Sequence, residues 1–459
     1  QCSWVHAEQV DLANEKALDL IAMAVRRAAT LEPLEEKPYP VVKHGLVVGG
    51  GLAGLTAAES MAEAGYGVTV VERSEKLGGM LAGMRFEVDG TDPGSHIAKL
   101  AERVKAHPKV EVLTQATVKD MGGHVGHFES VIETQDGERD VEHGAVIVAT
   151  GAREYKPEGE YLYGQDERVM TQREFEEKHG GGALKVGDGG TVMVQCVGSR
   201  EPEHPYCSRT CCTDAMRNAI RIKEASPDAP VTMLYRDIRT YGLREELYSK
   251  ARRLGVQFIR FTPDEKPEVI GEGGSMQVRV RDPILDRFIV LKADLVLLSA
   301  ALRPDPDAPE LSRTLKLPLG QDGFFLEAHM KLRPLDFAND GVFLCGLAHG
   351  PKALDEIIIQ ARGAAGRAGT ILGKERMYVS GQTSIVDGDH CAACLTCVRV
   401  CPYNVPEVVD GVAVIDAASC QGCGACASAC PRKAISIRHI DDRQITAKVE
   451  NLYARPGAK

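Results

Sequence analysis

The chain has 459 residues, 44% hydrophobic and 26% charged, an ordinary balance for a folded protein of two to four domains. Its formal net charge of -10 argues against nucleic acid or another polyanion as partner. No apolar run reaches the roughly 18 residues of a membrane span, so no direct membrane insertion is expected, and no signal peptide is visible. The chain opens on Gln1 rather than Met, from which a native N-terminus further upstream is expected. It holds 14 cysteines. Their spacing, below, favours metal over disulfides and therefore a reducing, cytoplasmic compartment.

In chain order, residues 8 to about 30 read as a helix with Leu18, Ile21, Val25 and Ala28 on one face. A Pro-marked linker, PLEEKPYP, spans 33–40. From Leu46 to Glu72 the pattern is strand, glycine turn, helix, strand. Gly49-x-Gly51-x-x-Gly54 closes the first strand and opens the helix, and Glu72 ends the second strand. Such glycines let backbone amides approach a pyrophosphate at a helix N-terminus, and a carboxylate at Glu72 is placed for ribose hydroxyls. The plainer alternative is a tight turn in a Rossmann-like domain with no ligand.

Three features favour FAD over NAD at this site. Arg73 and Leu77-Gly78-Gly79-Met80 follow the acidic strand, VIVATGA at 146–152 carries Thr150 and Gly151, and GVFLCGLAHG at 341–350 carries Gly346. These are similar to the flavin-contact segments of two-domain flavoprotein reductases, although Leu347 stands where those have an Asp after the glycine. Amides at the start of the helix expected over 353–373 are a substitute. Lys352 has two readings, a tuner beside the flavin ring or a solvated surface lysine. Cys345 reads as a small buried strand residue.

Between these segments, a helix is expected over 94–107 and a strand over 110–118, with 127–135 and 145–150 completing the sheet. Glycines around 180–190 suggest a boundary. A second strand–helix–strand pattern starts at Val192, with its helix over 212–225 and its next strand at 231–237. A helix (243–254), a strand (256–261) and a hairpin-like section to 294–300 follow. Here a second glycine fingerprint would cradle a nicotinamide nucleotide, yet only Gly198 remains of it. Cys196, Cys207, Cys211 and Cys212 occupy the loop and the helix start. A third iron–sulfur cluster is expected there, with Arg200, Arg209 and Arg217 balancing its charge; a Cys207–Cys212 disulfide or buried free thiols are the alternatives.

Near the C-terminus, Cys391-x2-Cys394-x2-Cys397-x3-Cys401-Pro402 is repeated as Cys420-x2-Cys423-x2-Cys426-x3-Cys430-Pro431. Zinc ribbons use paired C-x2-C motifs, not triplets with a trailing Cys-Pro. The pattern is that of bacterial ferredoxins, in which the fourth cysteine of each run ligates the other cluster. One [4Fe–4S] cluster is therefore expected on Cys391, Cys394, Cys397 and Cys430, and a second on Cys420, Cys423, Cys426 and Cys401. The expected segments are 1–40 (helix and linker), 41–185 and 301–378 (two parts of the FAD domain), 186–300 (second Rossmann-like domain), 379–440 (ferredoxin) and 441–459 (a tail that clamps a partner).

On CSWVH at 2–6, GGGLAGLTAAESMAEAGYGVTVVERSEKLGG at 49–79, CVGSR…YCSRTCC and the ferredoxin tail, the chain resembles the heterodisulfide reductase A-subunit family over nearly its whole length. The resemblance implies an α/β fold: a two-dinucleotide-binding-domain, thioredoxin-reductase-like flavoprotein with a C-terminal α+β bacterial 2[4Fe–4S] ferredoxin domain. It implies that Cys196, Cys207, Cys211 and Cys212 hold an atypical cluster beside FAD. It also implies that electron pairs are split at FAD between ferredoxin and a heterodisulfide or other acceptor. Implied partners are B- and C-like redox subunits, a hydrogenase- or formate-dehydrogenase-like module or a quinone-interacting one, around a homodimer in an anaerobe. Methanogen-type members carry a ferredoxin insertion that 127–151 lacks, which favours a bacterial relative. Cys2 reads as the last ligand of a cluster in an upstream domain or as a plain thiol. The alternatives are an NAD(P)H-dependent reductase with fused ferredoxin and a non-bifurcating cluster carrier.

Overall fold

A computed structural model describes residues 2–34, 36–84, 92–179, 190–272, 274–379 and 381–453. Two compact units emerge: Val42–Lys374, and Gln1–Val41 together with Glu375–Lys459.

In the larger unit the elements that position the site run as follows. β1 (His44–Val48), α1 (Leu52–Glu63), β2 (Gly67–Glu72), α2 (Pro93–Ala106) and β3 (Val110–Thr114) lead into an antiparallel meander of β4 (Thr117–His124), β5 (His127–Thr134) and β6 (Gly137–His143). Then come β7 (Ala145–Val148), β8 (Val169–Thr171), β9 (Thr191–Val197), α3 (Cys211–Ala225), β10 (Val231–Tyr235), β11 (Gln257–Arg260), β12 (Leu295–Ala300), β13 (Val342–Leu344) and α4 (Leu354–Leu372). Two all-parallel five-stranded sheets result, in the orders β13-β7-β1-β2-β3 and β8-β12-β9-β10-β11. Both sheets are covered by helices, so β1, β7, β9 and β12 are near-continuous apolar runs that bury almost every side chain. α4 turns Ala361, Ala364, Ala365 and Ala368 inward, and these small residues let it lie close to α1.

The expected strand over 110–118 is two strands in two sheets, parted at Gln115, whose φ is +51°. Residues 127–134 join the meander rather than the sheet that holds β7. The reason is periodicity: β5 alternates Phe128, Ser130 and Ile132 inward with Glu129 and Glu133 outward, the mark of a sheet covered on one face. Most of the expected glycine boundary, 180–189, lies outside the described residues.

In the smaller unit the helix Val10–Ala28 forms as expected, and three residues of its shared apolar face stay open: Leu18, Ile21 and Val25 are 58%, 60% and 63% exposed. The C-terminal helix Asp442–Tyr453 packs alongside it, and Arg27 donates to the His439 carbonyl at 2.6 Å. Part of the expected linker is a strand, Lys37–Pro40, antiparallel to Arg376–Val379. Two short antiparallel pairs, Ser384–Val386 with Ile435–Ile437 and Pro406–Val409 with Val412–Ile415, frame a core of Cys397, Ala413, Cys426 and Ile435.

Candidate functional site

A cavity of about 1250 Å³ lies in the larger unit, and the glycine turn lines it. Gly51, which no side chain caps, starts α1 there. Gly49 has φ +115°, and a Cβ on it would sit 2.3 Å from the Ala149 carbonyl oxygen. Glu72 is held at the end of β2 by amide donors, Gly50 and Ser74, each at 2.7 Å. Glu72, Arg73, Gly78, Gly79, Thr150 and Gly151 all line the cavity. Thr150 Oγ1 is buried there without a hydrogen-bond partner, an orphan that a polar ligand would satisfy. Glycine cradle, bare helix N-terminus, carboxylate and orphan hydroxyl together fit a dinucleotide.

Arg73 is clamped by Asp305, at 2.7 Å to Oδ1, and by Asp307, which fixes its guanidinium at the cavity edge. Gly346 stands behind the wall: its amide donates to Gln360 at 3.2 Å and its Cα packs against Ala53, while Leu347 faces the cavity.

Lys352 is not a surface lysine. It is 6% exposed, lines the cavity, and donates to the carbonyls of Gly346 (2.7 Å) and Gly350 (2.9 Å). Burial, helped by the nearby Arg209 charge, lowers its pKa to about 8 from 10.5. Between those values the unfolded chain binds the proton and the folded one does not, so stability rises with pH across that window. In flavin-free protein this gain is expected to reach about 3 kcal/mol, and Lys352→Met to flatten it. Urea unfolding of both proteins at pH 7.5 and 9.5, an interval that spans about 2 kcal/mol of that gain, checks this.

The same cavity reaches Arg209, Thr210, Cys211 and Thr213 at the start of α3. β9 buckles just before this loop: its register against β12 shifts between Val194 and Val197, and Cys196 takes φ +63°. Gly198, Arg200 and Arg209 also have positive φ. Left-handed backbone at a non-glycine residue costs on the order of 1–3 kcal/mol and clusters at ligand sites. Cys196, Cys211 and Cys212 are buried and Cys207 is half-buried, all as free thiols. Cys211 donates to Cys212, which holds Cys212 below and Cys211 above the usual thiol range.

Arg200 lies 4.0 Å from the Cys196 sulfur, and the Arg209 amide donates to the Cys207 sulfur at 3.3 Å. Arg217 is fully buried and ion-paired to Asp214 (2.7 Å) and Glu176 (3.3 Å). Among the described residues no three thiols converge within 4.8 Å, closer than which a lone tetrahedral zinc would draw them. Cys212, Cys196 and Cys207 all lie close enough to Cys211 to push its pKa up, and four soft donors gathered so fit an iron–sulfur cluster.

In the smaller unit one hollow is lined by Cys391, Cys394, Cys397 and Cys430, and another by Cys401, Cys420, Cys423 and Cys426. The two repeats share their backbone: Ala393 and Leu395 have φ +49° and +62°, and the equivalent Gly422 and Gly424 +61° and +81°. Eight free thiols in two crossed sets fit two cubanes. Cys2 is half-buried, in a short helix.

Residues 43–194 match the pyridine nucleotide-disulphide oxidoreductase family, and residues 383–431 the 4Fe-4S dicluster domain. The chain is 32% identical over its full length, and over 83% of the relative, to the A-subunit of the H(2):CoB-CoM heterodisulfide,ferredoxin reductase of Methanothermobacter marburgensis. It is 33% identical, over 89% of the chain and 76% of the relative, to the iron-sulfur A-subunit of the CoB–CoM heterodisulfide reductase of Methanocaldococcus jannaschii. The chain belongs to the heterodisulfide reductase A-subunit family.

It is accordingly an oxidoreductase with a flavin-binding fold and a [4Fe–4S] domain. The alignment to the Methanothermobacter relative takes 554 positions for 459 residues, so that relative carries insertions this heterodisulfide reductase family member lacks. Lactococcus lactis thioredoxin reductase shares the fold, with TM-score 0.51 and 18% identity over 72% of this chain and 99% of that one. Among the described residues no helix is long and apolar enough to cross a membrane. The Arg73–Asp305 clamp and the burial of Lys352 were not legible in sequence, because their partners lie far along the chain or in backbone carbonyls.

Proposed function

We propose that this chain is the FAD- and iron–sulfur-carrying electron junction of a heterodisulfide-reductase-like complex. It splits electron pairs, or in reverse combines single electrons, between ferredoxin and a disulfide or other acceptor on partner subunits. The observation that carries this reading is the single cavity that runs from the glycine turn to Cys211. Where a nicotinamide nucleotide would need a second glycine cradle, the wall is built from cysteine-bearing loop and helix.

FAD, when bound, supplies the exchange between two-electron and one-electron chemistry. The chain's own residues do the rest. The N-terminus of α1 with Gly49, Gly51 and Gly54 would receive the pyrophosphate, and Glu72 would accept from the ribose. Arg73, Gly78, Gly79, Thr150 and Gly151 would close the walls around the flavin, Gly346 packs beside α1, and Lys352, when protonated, would supply a positive charge to the cavity. Cys196, Cys207, Cys211 and Cys212 hold a third [4Fe–4S] cluster at the other end of the cavity. The two crossed cysteine sets hold the ferredoxin-type pair. B- and C-like subunits of heterodisulfide reductase, with a hydrogenase, formate dehydrogenase or quinone module, are the proposed neighbours around a homodimer in the cytoplasm.

Protein loaded anaerobically with FAD and iron–sulfur is expected to take electrons from reduced ferredoxin and to leave NADH and NADPH unoxidised, followed by flavin bleaching. Steady oxidation of either nucleotide by chain with intact FAD would replace this reading with that of a stand-alone reductase.

A further inference from the structure

The outward face of the β4–β5–β6 meander carries an electrostatic anomaly. Register sets two pairs of glutamates directly opposite each other, Glu133 with Glu138 and Glu129 with Glu142. Like charges placed directly opposite each other on neighbouring strands are destabilising. The first pair is neutralised, because Lys119 from β4 forms an ion pair with Glu138. The second pair has no lysine or arginine partner among the described residues. The β4 residue opposite Glu129 is Gly122, where an added Cβ would meet nothing within 4 Å.

A histidine shares that face. His127 lies two positions before Glu129 on the same strand and so on the same face. Its Nε2 is buried, has no hydrogen-bond partner, and stands 3.9 Å from Glu142 Oε2. One ligand atom from each of His127, Glu129 and Glu142 lies within 4.8 Å of the other two. Ligand bonds of about 2.0–2.2 Å would need only small side-chain rotations to close on one ion. None of the three lines the cavity or belongs to a cysteine set.

We propose that His127, Glu129 and Glu142 bind one divalent transition-metal ion, which does for this glutamate pair what Lys119 does for the other. One imidazole and two carboxylates, with positions left for water, suit Mn²⁺ and its neighbours, whereas the chain's thiolates favour softer ions. The metal would tie β5 to β6 on the outside of the unit, a role independent of flavin and clusters.

The test is Mn²⁺ titration of the full, FAD- and cluster-loaded chain, with free Mn²⁺ read from its EPR amplitude. One saturable site per chain is expected. Glu129→Gln and Glu142→Gln are each expected to weaken it at least about tenfold, as is His127→Ala. Glu133→Gln removes the same charge from the same face and is expected to leave the affinity unchanged. Free Mn²⁺ at every ratio with the unaltered chain overturns the site. So does an equal loss with Glu133→Gln, which would mean diffuse surface charge rather than three ligands.

Discussion

Replacing Cys211 and Cys212 together by alanine is expected to lower bound iron from about twelve to about eight atoms per chain, with FAD content kept. Both cysteines open α3, so alanine, the best helix former, leaves the helix intact. The crossed cysteine sets belong to the other compact unit and should keep their iron. Iron and flavin analysis of the anaerobically reconstituted variant reads the result directly. Unchanged iron would show that the four cysteines around α3 hold no cluster, and the cavity would then need another occupant at that end. The change should also alter how the flavin is reduced, since it removes the only redox group proposed beside it.

The second large effect is expected at the glycine turn. A Cβ on Gly54 would stand 1.8 Å from the Gly49 carbonyl oxygen and 3.2 Å from Val47 Cγ1. The oxygen belongs to backbone and cannot swing away, so Gly54→Ala must push α1 off β1 and displace the helix N-terminus from the cavity. FAD retained after gel filtration should fall at least about tenfold, while iron in the smaller unit is unchanged. Gly366→Ala is the control: it lies exposed in α4, its Cβ would meet nothing within 4 Å, and it should retain FAD and if anything gain stability. Full flavin occupancy in Gly54→Ala would place the pyrophosphate away from the start of α1.

Much of the architecture was legible where chemistry is local. The glycine fingerprint, the acidic residue ending β2 and the paired ferredoxin runs are short-range patterns, because each reflects a turn whose backbone must be shaped by neighbouring residues. Uniformly apolar strands such as AVIV at 145–148 likewise announced burial on both faces. Less legible was the meander, since the strand pattern over 110–118 says nothing of where the chain changes sheets at Gln115. The apolar stripe of the N-terminal helix was legible as a stripe, but its exposure was not. Periodicity reports that a face is apolar, not what covers it.

By itself, then, the sequence determined the family, the two dinucleotide-type halves and the donor atoms available for each group. These follow from residue type and spacing, which survive without coordinates. Only the tertiary structure decided how those donors are shared. Parallel strand order brings α3 to the cavity opened by the turn between β1 and α1, so Cys211 and Gly51 line one space although their segments are distant in the chain. Burial converted Lys352 from an ordinary cation into one that can lose its proton near pH 8. Register across three strands set Glu129 opposite Glu142 with only a glycine beside them. Sharing, burial and register are long-range quantities, fixed by packing of segments far apart in the chain, and no local pattern carries them.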